Sequence, residues 1–118
     1  MTQGSIEEIQ NYLQKHEGIK LDTNKPRLAE MIKDFVIPLT EMCKVWEFGA
    51  NKYSKSNWKS VENAEHRYTN AMVRHLLSEE LYSHDEESRL LHATHVAWNG
   101  LARLYFILEK IEREKPQW

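Results

Sequence analysis

The sequence predicts an all-α protein, a bundle of about four main helices. Three observations predict it: apolar residues recur at helical spacing in the long segments, sustained period-two alternation is absent, and four glycines and three prolines supply few turns. The last segment is the most regular. Leu90, Ala97, Leu101, Leu104, Leu108 and Ile111 fall at steps of four and three after Ala97, a seam of the kind that packs helices in bundles.

Taken in order, Ser5 with Glu8 three residues later reads as a capping box and opens a short helix to about His16, with Ile6, Ile9, Tyr12 and Leu13 as its apolar face. Glu17-Gly18 ends it. Residues 20–27 form a polar loop, and Pro26 suits the start of a second helix that carries Leu28, Ile32 and Phe35 on one face. Pro38 kinks that helix or begins a fresh segment ending near Phe48, with Gly49 as its C-cap. Cys43, mid-helix among Met42 and Val45, is expected in the core. Ser60 is the expected N-cap of a long helix from Val61 to about Tyr82, followed by an acidic loop, Ser83-His84-Asp85-Glu86-Glu87, and the final helix.

The length suits one domain spanning residues 1–118. A charged fraction of 29% and a mean hydropathy of -0.70 point to a thin helical protein that exposes much surface or completes its core as a homo-oligomer, a dimer or tetramer. Four tryptophans, five tyrosines and three phenylalanines argue against disorder. A net charge of -2 gives no global field to recruit a nucleic-acid duplex, so phosphate binding must be local. One cysteine excludes an intrachain disulfide and a multi-cysteine zinc site. No apolar run has membrane-spanning length and the N-terminus has no signal-like segment, so the expected location is the cytoplasm, of a bacterial host if the chain is phage-encoded.

Residues 47–58 concentrate Lys52, Tyr53, Asn57 and Trp58 around a glycine. Lysine attracts phosphate, the rings offer stacking faces and the amides read polar edges, a mixture suited to a nucleotide; the plainer reading is a capped helix end and a loop. In the third long helix Arg67, Asn70, Arg74 and Ser78 share a stripe able to grip phosphates or simply to face water. His75 lies beside it, four residues before Glu79, whose carboxylate is placed to orient the imidazole. On the last helix His92, His95 and Asn99 fall together opposite the apolar seam, inside an apolar rim. They form either a pocket or a set of interhelical hydrogen bonds, and zinc is disfavoured for want of a third ligand. Hydrolysis of a triphosphate calls for Mg²⁺ or Mn²⁺ on acidic oxygens; Glu41, Glu47, Glu62, Glu65, Glu79, Glu80, Asp85 and Glu87 are the candidates, and no spacing among them fixes a metal site. P-loop, G-x-G-x-x-G, G-x-S-x-G and H-E-x-x-H motifs are absent.

Four stretches together resemble the phage and prophage family of MazG-like all-α dATP/dGTP diphosphohydrolases. Asp22-Thr23-Asn24-Lys25-Pro26-Arg27-Leu28 is similar to D-x-G-K-P-R-hydrophobic, and residues 48–58 to F-G-A-K-K-Y-G-x-x-N-W. Arg67-Tyr68 with Arg74-His75-Leu76 resembles R-Y-x-x-A-x-x-R-H-L. Residues 85–99 resemble D-P-E-[ST]-G-x-x-H-x-x-H-A-x-x-N. The match covers about residues 20–110. It implies an oligomeric pyrophosphohydrolase fold with a purine deoxynucleotide as ligand. It also implies that Glu41 is the helix acid on the metal, that Lys52, Asn57 and Trp58 line the nucleotide site, and that Arg74, His75, His92, His95 and Asn99 lie nearby. Lys25, Arg27, Tyr53 and Arg67 complete the nucleotide-binding candidates. Glu41, His75, Glu79 and Asp85 are the catalytic candidates, with Glu41, Glu79 and Asp85 as the metal ligands.

The chain departs from the pattern at several places. Asn24 and Arg89 stand where glycine is usual, a G-E-D triplet before Asp85 is missing, and the ExxE…ExxD pattern of MazG enzymes is absent. Loss of an acid makes a non-hydrolytic nucleotide or cyclic-nucleotide sponge, used in phage counter-defence, the alternative to a Mg²⁺-dependent enzyme that converts purine (d)NTPs to (d)NMP and pyrophosphate. An oligomeric interaction module is a third reading.

Overall fold

The computed structural model describes residues 6–9, 21 and 23–116. It is all-α, and the described residues include no strand, only an isolated antiparallel bridge between His84 and Leu91. Residues 6–9 are helical and exposed. The rest of the expected first helix, with Ser5, Tyr12, Leu13 and the Glu17-Gly18 end, lies outside the described residues, as does Asp22. The chain divides into two compact units, Met1–Met31 and Ile32–Trp118.

Helix α1 runs over Leu28–Asp34 and α2 over Val36–Lys52. The break falls at Phe35, whose N–H turns back to the Ile32 carbonyl while its own carbonyl accepts from Leu39 N–H. Pro38 therefore begins no segment itself. It occupies the third position of α2, where a missing N–H costs no helical hydrogen bond. Gly49 is not the C-cap: the helix continues to Lys52 and Tyr53 N–H bonds to the Gly49 carbonyl at 2.9 Å. Cys43 is exposed on this helix rather than in the core.

The third long helix starts later and ends earlier than the sequence suggests. Asn57–Ser60 forms its own 3₁₀ turn, which takes Ser60 away from any capping role, and Asn63 at φ 53° redirects the chain into α3, Ala64–Ser78. Asparagine tolerates that left-handed backbone better than most residues. Residues 79–82 continue as turns, with Tyr82 N–H and Leu81 N–H both returning to the Ser78 carbonyl. Helix α4 is His92–Arg113.

Within the second unit α3 packs mainly on α4, with α2 against α4 on a smaller scale. The face that α4 buries overturns the sequence expectation. The residues buried on it are His92, Thr94, His95, Asn99 and Ala102, whereas Leu101, Leu104, Leu108 and Ile111 remain 49%, 48%, 56% and 53% exposed. Periodicity locates an apolar stripe but not which stripe meets the neighbouring helix. The polar stripe wins here because α3 and the loop before α4 supply hydrogen-bond partners for it. No buried side-chain nitrogen or oxygen among the described residues lacks one. Of the described apolar residues, only Val45, Ala64 and Ala102 are buried.

Candidate functional site

The site begins with the loop at residues 83–91, which is tied back on itself. Asp85 N–H donates to the Leu90 carbonyl at 2.7 Å, Arg89 N–H to the Asp85 carbonyl at 2.9 Å, and His92 N–H to the Ser83 carbonyl at 2.9 Å. Arg89 takes φ 65° to close this turn, a conformation that glycine adopts freely and an arginine only at a cost. Asn24 likewise has φ 74°. Both departures from the glycines of the family pattern thus keep a glycine-type backbone.

The fold of this loop over the first turn of α4 brings Asp85, Ser88, His92 and His95 against His75 of α3. The Nδ1 atoms of His75 and His92 face each other at 2.9 Å, and the His75 ring stacks on that of His95 at 4.3 Å and 9°. His75 is thus oriented by two histidines of α4 rather than by Glu79. Ser88 joins the two halves of the cluster: its N–H donates to Asp85 Oδ2 at 2.8 Å and its hydroxyl lies 2.7 Å from His95 Nε2. His95 Nε2 is 3.8 Å from the same carboxylate oxygen.

Burial shapes the charges here. It pushes the His75 imidazole down to about 4, helped by His95, His92 and Arg74 and resisted by Asp85. Burial also lowers His95, against the opposing pull of Asp85. Burial alone would raise the Asp85 carboxyl, but the Ser88 hydrogen bonds, with His95 and His75, outweigh it and hold the group below its usual value. At neutral pH the Asp85 carboxylate is therefore an anion beside the uncharged imidazoles of His75 and His95, which offer lone pairs rather than positive charges.

Asp85 and His92 open on a cleft of about 910 Å³, also lined by Ser78, Leu81, Tyr82, Ser83, His84, Glu86 and Arg89. Its capacity falls within the range of small-molecule sites. Arg74 borders a neighbouring hollow with Asn70, and the two concavities share Ser78 and Leu81 as walls. Lys52 reaches the loop by an ion pair with Glu87, while its ammonium sits 5.2 Å from the Tyr53 ring centroid. Arg67, Asn70 and Arg74 are exposed on α3.

Other candidates lie elsewhere. Tyr53, Asn57 and Trp58 line a small hollow of about 50 Å³ with Trp46 and Trp98. Trp58 meets Trp98, Tyr105 and Phe106 edge-on at 5.0–6.0 Å, and its carbonyl accepts from the Tyr68 hydroxyl at 2.9 Å. Asn99 is buried and donates to the His95 carbonyl at 2.8 Å, so it serves its own helix. Lys25 and Arg27 belong to the first unit, where Arg27 pairs with Glu30. Glu41 is held by Lys44 at 2.7 Å and Glu79 lies exposed at the end of α3. Neither joins Asp85: among the described residues, the group of three possible metal ligands is His75, Asp85 and His92, with ligand atoms within 4.8 Å of one another.

Sequence reasoning missed Ser88 and Arg89. For Arg89 a signal existed, since a side chain standing where glycine is usual marks a backbone position worth inspecting. Ser88 carried none, because serine in a polar loop is ordinary.

Against this geometry, the family model described as dATP/dGTP diphosphohydrolase, N-terminal, matches residues 15–115. The chain belongs to this family. A relative in Salmonella phage PMBT28, a dATP/dGTP diphosphohydrolase, is 34% identical over 92 residues, which are 77% of this chain and 30% of that protein. The chain thus spans about a third of the length of the curated relative it matches. No solved structure matches. The family match takes in His75, the loop at 83–91 and all of α4, so the histidine–aspartate cluster lies wholly within it. No helix among the described residues is long and apolar enough to cross a membrane.

Proposed function

We propose that this chain is a nucleotide-hydrolysing domain of the MazG-like type, cleaving purine deoxynucleoside triphosphates, dATP or dGTP, to the monophosphate and pyrophosphate. The observation that carries the reading is the convergence of His75, Asp85 and His92, the last two lining a cleft large enough for a triphosphate and bordered by Arg89. The name of the phage relative supports the substrate class.

In this reading water attacks phosphorus, the anhydride bond breaks and pyrophosphate leaves. An uncharged imidazole of the cluster is suited to accept the proton of that water, with the Asp85 carboxylate to stabilise the imidazolium that forms. Arg89, Arg74 and Lys52 offset the phosphate charge. Mg²⁺ prefers an octahedral shell of oxygens, and this cluster offers it a single carboxylate, a poor fit. Mg²⁺ or Mn²⁺ is therefore assigned to the triphosphate, entering as part of the substrate. The exposed seam of α4 is the face assigned to a second copy of the chain, since so few apolar residues are buried within one. The cytoplasm of a bacterial host, where deoxynucleotides are plentiful, is the setting this activity requires.

The test is pyrophosphate release from a panel of NTPs and dNTPs with and without Mg²⁺ or Mn²⁺. Release from dATP or dGTP, abolished in Asp85→Asn, supports the reading. Tight nucleotide binding without release under any of these conditions overturns it in favour of sequestration.

A further inference from the structure

The pairing of His75 with His92 has an unusual geometry. Two Nδ1 atoms point at each other at 2.9 Å, with the Asp85 carboxylate close enough for the three ligand atoms to lie within 4.8 Å. Two nitrogens bound to one ion at about 2.1 Å stand about 3–3.4 Å apart, depending on the angle between them. The two imidazoles are thus spaced almost as neighbouring vertices of a coordination polyhedron, while Asp85, on a loop rather than a helix, has a short distance to close.

The surroundings match what a metal site needs beyond its ligands. The Ser88 N–H orients the carboxylate, the Ser88 hydroxyl holds His95, and His95 in turn stacks on His75 and fixes its ring plane. His92 is 7% exposed, yet it and Asp85 border the open cleft, so an ion here is fenced by protein on one side and reachable from the other. Two imidazoles and one carboxylate favour a borderline first-row ion over Mg²⁺ or Ca²⁺.

We propose that His75, Asp85 and His92 form a mononuclear site for Zn²⁺ or a closely similar transition-metal ion, with a coordination position open to the cleft. This site differs from the all-carboxylate arrangement expected from the sequence, and it uses Asp85 alone of the three acids chosen there. The proposal does not depend on hydrolysis, because binding is read directly. A direct His75–His92 hydrogen bond with no metal affinity is the competing account.

The test titrates the metal-stripped full chain with Zn²⁺ by calorimetry, with Co²⁺ as the spectroscopic probe and Mg²⁺ as the counter-probe. One Zn²⁺ per chain is expected, Co²⁺ should give the visible bands of a four- or five-coordinate site, and millimolar Mg²⁺ should displace neither. Changing an outer partner of a metal ligand typically costs about 10–100-fold in affinity. Ser88→Ala is therefore expected near the lower end of that range, and His75→Ala or His92→Ala at or beyond the upper end, about 100-fold. His66→Ala, an exposed histidine of α3, should leave affinity unchanged. Zn²⁺ affinity that survives both His75→Ala and His92→Ala, or that Mg²⁺ abolishes, overturns the site. Should those variants fail to fold, imidazole ¹⁵N spectra of the unaltered protein decide: Zn²⁺ must shift ring nitrogens of His75 and His92, and a spectrum unchanged by Zn²⁺ rejects the proposal.

Discussion

His75 and His92, seventeen positions apart in the chain, bring their Nδ1 atoms to 2.9 Å, although burial and neighbouring positive groups leave little room for a proton on His75. The pair therefore links folding to acidity. In the unfolded chain His75 titrates near 6.5, and in the folded one at about 4. Between those values the unfolded state binds the proton that the folded state refuses, so stability rises with pH there. The melting temperature of the metal-stripped protein is expected to be highest above pH 6.5 and to drop as pH falls towards 4. His75→Gln should flatten that dependence. A flat profile in the unaltered chain would show that the imidazole is solvated after all.

Arg89 separates the cost of a backbone conformation from the value of a charge. Its φ of 65° costs an L-residue about 1 kcal/mol that glycine avoids. Arg89→Gly is expected to raise the melting temperature by about 4 °C for a domain of this size. The same change removes the guanidinium from the cleft wall. A charge-assisted hydrogen bond is worth about 1.5–3 kcal/mol, so triphosphate affinity should fall about tenfold or more. Thermal shift and nucleotide titration on one sample check both arms, and unchanged affinity would remove Arg89 from the binding site.

Glu87 holds Lys52 in the free protein, and a phosphate would have to compete for the same ammonium. Glu87→Gln is expected to tighten nucleotide binding, and Lys52→Met to weaken it. Steady-state KM for the preferred triphosphate reads both. Equal KM values in the two variants would place Lys52 outside the phosphate path.

The outward seam of α4 yields a prediction about assembly. Leu104→Glu with Leu108→Glu sets charges on a face already 48% and 56% exposed in the single chain, so the helix itself should survive, as circular dichroism can verify. If a second copy covers this face, light scattering should show the altered chain as a monomer and the unaltered one as a dimer or tetramer. An unaltered chain that is itself monomeric would leave the seam to another partner.

The helical class and the last helix were legible in the sequence because periodicity reports a repeating local geometry. The location of α4's interior was not. His92, His95 and Asn99 were recognised as one stripe shielded from bulk water, but their role in the helix contact depends on His75 and Ser88, which approach only through folding of the loop at 83–91. The boundaries of α3 failed for a related reason: Ser60 is a sound cap in isolation, and only the 3₁₀ turn at Asn57–Ser60 and the left-handed Asn63 displace it. Asp85, His75 and His92 were each singled out, yet their grouping needed three dimensions, since sixteen residues and a turn separate α3's histidine from the start of α4. Glu41 rests on the resemblance and Glu79 on charge, and neither ground carries information about distance.

The polar contact between α3 and α4 ties this domain's persistence to its chemistry. In many helical proteins an aliphatic interior outlasts the loss of a surface site, leaving an inert scaffold open to new uses. Here the side chains that would do the work are among those that join the two helices, beside the Tyr68–Phe106 stack and the Arg103–Thr69 hydrogen bond. Removing one leaves its buried partners without hydrogen bonds, at about 1–3 kcal/mol each. Mutational decay of the site thus also weakens the fold, and a descendant that abandons the histidine–aspartate cluster leans harder on the Tyr68–Phe106 and Arg103–Thr69 contacts further along the same helix pair.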